Sequence, residues 1–193
     1  RGVIEAQYVV NAAGAWAGEV ARMAGASEIP LVAFKRHLFI LGGIEHIRPE
    51  WPFVWNQDEN FYFRPKSGGL LFSICDEEKT TRLEPTVSPD ISQSLAEFVW
   101  LQFPALQQAT KEKAWSCFRT STPDSSFVIG WDPSPKAFFW VAGLSGHGMG
   151  ASWEVGRFAA KQFMNPRPSQ ANPFAPDRFK DMAINQSVDE LSR

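Results

Sequence analysis

No stretch limits the fold of this chain more than Phe138 to Gly150, because it changes character twice. Phe138-Phe139-Trp140-Val141-Ala142 is an apolar, aromatic run that reads as a buried strand. Gly143, Gly146, Gly148 and Gly150 then interrupt it, and a periodic segment follows in which Val155, Phe158, Ala159 and Phe163 recur at offsets of three and four. That spacing puts them on one face of an amphipathic helix of about four turns. Strand, glycine turn and helix in this order let backbone approach a ligand without side-chain obstruction. The helix start behind the turn offers unpaired N–H groups and a positive dipole end, a place for negative charge. The same spacing also suits a plain αβ connection.

A second segment of this kind opens the chain. Val3 to Val10 reads as a buried strand closing on Asn11-Ala12-Ala13-Gly14-Ala15-Trp16. A helix follows with Trp16, Val20, Met23 and Ala24 on one face and Gly25 as its stop. Ala12, Ala13 and Gly14 let the turn lie close to a ligand or to a neighbouring strand.

Between these ends the pattern alters. Leu31 to Leu41 is apolar apart from Lys35-Arg36-His37, and Trp51 to Trp55, Phe61 to Arg64 and Leu70 to Cys75 are short strand-like runs. Turn-forming separators such as Asn56-Gln57-Asp58-Glu59-Asn60 join them, which predicts an antiparallel sheet. Residues 76–90 read as a polar loop. Ser88-Pro89-Asp90 opens a helix whose face carries Ile91, Leu95, Phe98 and Val99. Strands resume at Trp115 to Arg119 and Phe127 to Trp131, and residues 165–193 read as a tail that docks through Phe174 and Phe179 and frays beyond. The expected fold is therefore α/β at the two ends (1–29 and 115–165), an α+β insertion built on an antiparallel sheet (30–114), and a C-terminal tail (166–193).

Composition removes several function classes. With 21 acidic and 19 basic side chains and a net charge of -2, the chain has no basic block for nucleic acid or an anionic membrane. No apolar run reaches the roughly 18 residues of a membrane span. Cys75 and Cys117 lack metal-ligand spacing, so neither a zinc site nor a disulfide framework is indicated, and a reducing, cytoplasmic setting is the expectation. Arg1 stands first and residues 3–10 are already an element in progress, as in a piece of a longer protein.

Five motifs occur in one order: Val9-Val10-Asn11-Ala12-Ala13-Gly14-Ala15-Trp16-Ala17, Phe61-Tyr62-Phe63-Arg64-Pro65, Arg119 to Asp124 with Ile129-Gly130, Ala142 to Met149, and Pro176-Asp177-Arg178-Phe179. Together they resemble the C-terminal half of the FAD-dependent amino-acid and amine oxidoreductases, the family of D-amino-acid oxidase, glycine oxidase and sarcosine oxidase. The resemblance implies an FAD-binding domain built from two separated segments, with an inserted antiparallel-sheet substrate domain. It implies oxidation of the C–N bond of a small carboxylate-bearing amine by hydride transfer to flavin. The family's G-x-G-x-x-G turn for the pyrophosphate is absent here, so the N-terminal half of the same protein is the expected partner and the fragment alone is expected to be inactive.

The resemblance also assigns roles. Ala13, Gly14, Trp16, Gly143, Ser145, Gly146, His147, Gly148 and Met149 fall at the flavin, where N–H donors and a helix dipole stabilise charge on the reduced ring. Arg119 falls at the substrate carboxylate, a partner its planar guanidinium grips through two parallel hydrogen bonds; a salt bridge to an acidic side chain is the alternative. Tyr62 can add a hydroxyl to the same carboxylate or serve as core. His147 can touch the ring or bond nearby backbone, and His37 and Arg64 also suit solvated strand ends. Cys117 matches the cysteine bonded covalently to flavin in sarcosine oxidases, or is a buried free thiol. Two departures stand out: Gly150 stands where sarcosine oxidase has a lysine after the turn, and Leu70-Leu71-Phe72-Ser73 contains no base. They point to an electron acceptor other than dioxygen. A flavin-binding subunit without turnover and an FAD dehydrogenase of a non-amine substrate are the rival readings.

Overall fold

The two strand-turn-helix segments at the ends of the chain fold together, and the stretch between them folds as a second unit. The first unit takes the chain up to Phe34 and from Arg119 onward, and the second takes Lys35–Phe118. The computed structural model describes residues 2–66, 68–81, 83–135, 137–165 and 172–180. In chain order the elements are β1 (Val9–Asn11), α1 (Ala17–Ala24), β2 (Val32–Gly42), β3 (Val54–Asn56), β4 (Phe61–Lys66) and β5 (Gly69–Ser73). β6 (Glu78–Thr80), α2 (Pro89–Gln102), β7 (Thr110–Ser121), β8 (Val128–Trp131), β9 (Phe138–Ala142) and α3 (Ser152–Met164) follow.

In the first unit β9 is the central strand, parallel to β1 on one side and antiparallel to β8 on the other. Alternation along β9 sends Phe138, Trp140 and Ala142 towards Ala17 and Ala21 of α1, while Phe139 packs with Ile129 and Val155 of α3. Helices on both faces explain why this strand is a continuous apolar run rather than an alternating one. Asp132, buried at the end of β8, accepts hydrogen bonds from the Ser27 N–H and hydroxyl (3.0 and 3.0 Å), the Ser134 N–H (2.8 Å) and the Trp140 indole N–H (2.8 Å). A buried carboxylate is tolerable only when its lone pairs are filled in this way.

Two expectations for this unit are corrected. The strand read from Val3 forms a ladder only over Val9–Asn11, because Val9 pairs with Phe138 and the earlier residues fall opposite the turn joining β8 to β9. Val3 and Ile4 are each 92 % exposed. The buried face of α1 is Ala17 and Ala21 with Val20 beside them, and Met23 points to solvent. Small side chains let the helix approach the large rings of Phe138 and Trp140. The stop at Gly25 holds, in a left-handed conformation with φ 62°. The tail docks as expected through Phe174 and Phe179. The Phe174 carbonyl accepts the Ile129 N–H (2.8 Å), and Phe179 joins the α1 side of the core. The expected fraying at 166–171 and beyond 180 lies outside the described residues.

In the second unit the strands run in the order β3-β4-β5-β2-β6, with β7 also pairing β2. The pairs β3–β4, β4–β5 and β5–β2 are antiparallel, as the hairpin-type spacers require. One face, with Phe39, Leu41, Phe61 and Phe72, packs on Leu95 and Val99 of α2. Pro89 opens that helix, and its predicted face holds. The polar loop expected at 76–90 contains β6, because its acidic residues run antiparallel to the basic run of β2. Asp76 meets His37 (2.6 Å), Glu77 meets Arg36 (2.6 Å) and Glu78 meets Lys35 (3.5 Å). His37 is therefore no solvated strand end but fully buried. Its Nε2 accepts the Ser88 N–H (3.0 Å), which leaves Nδ1 to carry the proton and donate to Asp76. The Ser88 hydroxyl, 2.6 Å from Glu78, leads the effects that hold that carboxyl below its ordinary value.

Candidate functional site

Within the first unit, two turns leave the same end of the sheet. β1 and β9 are parallel, with Asn11 opposite Trp140, so the turn after Asn11 and the turn after Ala142 both follow strand C-termini. Ligands of α/β sheets sit outside that end.

The first turn is held by Asn11, which is 2 % exposed. Its side-chain N–H donates to the Ala17 carbonyl (2.8 Å) and its Oδ1 accepts the Ala13 N–H (3.3 Å). Ala13 and Ala15 are half-buried, whereas Gly14 and Trp16 are exposed. The expected small-residue surface is present, and Asn11, which the sequence reading left without a role, is the residue that shapes it.

The second turn bends sharply, because Gly143, Ser145 and Gly146 all have positive φ (69°, 46° and 83°). Left-handed backbone at a non-glycine residue such as Ser145 costs about 1–2 kcal/mol and persists only where neighbours enforce it. Here the Ser145 N–H donates to the Thr120 carbonyl at the end of β7 (3.0 Å), and the Ser145 and Ser121 hydroxyls lie 2.9 Å apart. The His147 N–H bonds the Leu144 carbonyl (2.7 Å), and the Ala151 N–H bonds the His147 carbonyl (2.9 Å). Gly146, His147 and Met149 face solvent, and Gly148 is half-buried. α3 then begins without a side-chain hydrogen bond at its N-terminus, so its first N–H groups are not capped by protein side chains.

Arg119, near the end of β7, lies against this turn. A Cβ built on Gly146 would fall 2.7 Å from the Arg119 Nε and 3.1 Å from its Cζ. Among the described residues the Arg119 guanidinium has no hydrogen bond and no ion pair, so the salt bridge weighed from sequence does not form. The acidic residue of the same motif, Asp124, pairs instead with Arg178 of the tail motif (2.7 and 3.2 Å). Partial burial pushes the Asp124 carboxyl up, but hydrogen bonds from Arg178, Thr122 and the Ser126 N–H outweigh this and hold it below its ordinary value. Two motifs quoted for their resemblance thus serve to close the first unit's loop onto its tail.

Three further candidates, Tyr62, Arg64 and Cys117, stand in the second unit. Strand alternation puts Tyr62, half-buried, on the sheet face opposite α2, directly across from Trp55 and Ser73 and 5.4 Å from the Phe53 ring. Its hydroxyl makes no hydrogen bond among the described residues. Arg64 is exposed. Cys117 is an exposed free thiol, which removes the alternative of a buried one. Among the described residues no cluster suits a metal ion, and no helix is long and apolar enough to cross a membrane.

The family described as FAD dependent oxidoreductase matches residues 1–162. Sarcosine dehydrogenase from Mus musculus is 30 % identical over 181 residues, 88 % of this chain and 19 % of that protein. The regulatory subunit of pyruvate dehydrogenase phosphatase from the same organism is 28 % identical over 187 residues, 88 % of this chain and 21 % of that one. Among solved structures, glycine oxidase from Geobacillus kaustophilus superposes with a TM-score of 0.73 at 25 % identity, over 90 % of this chain and 46 % of the oxidase. The chain spans less than half the length of the curated relatives it matches.

Proposed function

The chain belongs to the FAD dependent oxidoreductase family, and on that premise we propose that the intact protein oxidises the C–N bond of a small amino acid or N-methyl amino acid. FAD supplies the two-electron acceptor for the substrate's α-hydrogen. The residues present fit this group: the backbone of the Gly146 to Met149 turn, apart from the His147 N–H that bonds the Leu144 carbonyl, and the uncapped start of α3 would offer N–H groups to a ring edge that gains negative charge, and Ala13, Gly14 and Trp16 would line the neighbouring turn. In this reading the first unit is part of a two-segment FAD-binding domain and the second, Lys35–Phe118, is the substrate domain. The exposed edge of β1, with Val9 and Val10, receives a strand from the N-terminal half, which also brings the pyrophosphate turn.

One observation supports the substrate class above the rest: a half-buried guanidinium, Arg119, beside the glycine turn and without an ion-pair partner among the described residues. A substrate carboxylate is the partner that satisfies it. Tyr62 is proposed as a hydroxyl donor to the substrate, on the ground that its oxygen has no hydrogen bond among the described residues. No general base is needed for an amine that arrives neutral. Gly150 and the base-free β5 support a dehydrogenase with an acceptor other than dioxygen, which oxygen uptake during turnover tests directly.

Anaerobic titration of the full-length protein with glycine, sarcosine and proline tests the proposal. Bleaching of the flavin bands is expected, and Arg119→Ala is expected to raise the apparent Kd by about a hundredfold, the loss of a bidentate charged pair. Flavin that stays with acid-precipitated protein would assign Cys117 as a covalent anchor. The second reading, a flavin-bearing subunit without turnover, draws support from the likeness to a regulatory subunit. Tightly bound flavin that none of these amines bleaches would decide for it.

A further inference from the structure

We infer that Gly146 is a positioning residue for Arg119: its missing side chain is the seat in which the guanidinium lies, and a single methyl group there would turn the arginine away from its carboxylate. This rests on the substrate reading above and goes beyond it, because it gives one glycine of the turn a task towards substrate rather than cofactor.

Three features of the first unit carry it. A Cβ on Gly146 would lie 2.7 Å from Nε, 3.0 Å from Cδ and 3.1 Å from Cζ of Arg119, so it would meet the head group and the last carbon of the stem together. Contacts below 3.0 Å are not sustained between carbon and nitrogen, and the guanidinium, with no hydrogen bond or ion pair among the described residues, is the part free to yield. The backbone under it cannot yield in its place. Ser145 is tied to the Thr120 carbonyl (3.0 Å) and its hydroxyl to Ser121 (2.9 Å), the two residues that follow Arg119 along the chain. Turn and arginine are therefore anchored to each other twice over, at a spacing that leaves room for hydrogen alone. The neighbouring glycines do not share this property: a Cβ on Gly148 would meet Leu144 at 3.3 Å, and one on Gly143 would meet Thr122 at 3.3 Å.

Left-handed φ at Gly146 disfavours any side chain whatever Arg119 does, so the two causes must be separated. The full-length holoprotein is titrated with acetate, a carboxylate without an amine, and the Kd is read from the flavin spectrum for Gly146→Ala, Arg119→Ala and the double variant. Gly146→Ala is expected to raise the Kd by about tenfold or more when Arg119 is present, and by no further factor when Arg119 is alanine. If alanine prevents folding, judged by retained flavin, Gly146→Asn takes its place, because asparagine tolerates left-handed backbone while still carrying a Cβ. An unchanged Kd in Gly146→Ala, or an equal rise in both backgrounds, overturns the positioning role and leaves the carboxylate reading standing. An unchanged Kd in Arg119→Ala brings down both.

Discussion

The two units solve the same burial problem in different ways. In the first, β9 is covered on both faces, by α1 through Ala17 and Ala21 and by α3 through Val155, and neighbouring residues Phe138 and Phe139 are both buried (2 % and 1 % exposed). In the second, α2 covers one face of the sheet and the burial of the other depends on the strand: Ile40 and Leu71 on that other face of the central strands are buried (7 % and 9 % exposed), whereas in β4 Phe61 is 5 % exposed and Tyr62 only half-buried. A sheet covered on both faces has only its strand ends left for chemistry, and that is where Asn11 and Ser145 pin two turns by side-chain and backbone hydrogen bonds. A strand such as β4, deeply buried on one face only, keeps the other for presentation of side chains. The first unit holds backbone in place at its strand ends, and β4 of the second displays the face that carries Tyr62 and Arg64.

The largest effects test this contrast directly. Phe138→Ala and Phe139→Ala are each expected to lower stability by about 3–5 kcal/mol in urea unfolding, because both leave cavities between packed layers. In β4, Phe61→Ala should cost a similar amount, whereas Tyr62→Ala should cost about 1 kcal/mol, since its ring is only partly removed from water. Equal losses at Phe61 and Tyr62 would mean that β4 is covered on both faces like the central strands β2 and β5, and the contrast would fail.

An intermediate effect probes the polar side of the second unit. Asp76→Asn removes the charged partner of the fully buried His37 and should destabilise by about 1–3 kcal/mol. A loss well below that range would show that the His37 cluster contributes little to holding β6 and the start of α2 against β2.

The smallest effect concerns Asp124 and carries a pH signature. Its carboxyl is held below its ordinary value by Arg178, Thr122 and the Ser126 N–H against the opposing effect of burial, so folding and deprotonation favour one another. A depressed value means that the stabilisation is complete above the unfolded pKa, about 3.9, and is lost as pH falls through the lower folded value. Asp124→Asn should cost about 1 kcal/mol at neutral pH, an amount limited by the pair's partial exposure. The gap between the denaturation midpoints of the two proteins should narrow as pH falls from about 7 to about 3. Parallel curves would show that the pair between loop and tail does not couple to folding.

Much of the candidate site is legible along the chain because its parts are local. The glycine turn, the small residues at Ala13 and Gly14 and the apolar face of α3 each depend on residues a few positions apart. Arg119 is legible as a candidate, but its lack of an acidic partner among the described residues is not. Asp124, five residues on, is the obvious mate until Arg178, 54 residues further along, takes it. Asn11 is missed for the opposite reason: it belongs to a motif read as a whole, and only its hydrogen bonds single it out.

What the sequence determined by itself is the type and order of most elements, with β6 in the expected polar loop as the exception. Periodicity, Pro89 at a helix start and Gly25 at a helix end act within one or two turns of backbone, where sterics and local hydrogen bonds decide conformation. Only the tertiary structure decided which strand ends meet, that β1 shortens to Val9–Asn11, that Ala17 and Ala21 rather than Met23 face the core, and that Asp132 gathers donors from Ser27, 105 residues away. The meeting of Gly146 with Arg119 belongs to this second class. Such contacts follow from strand register and layer packing, which depend on every residue of the facing surfaces at once, and no short stretch of chain contains that information.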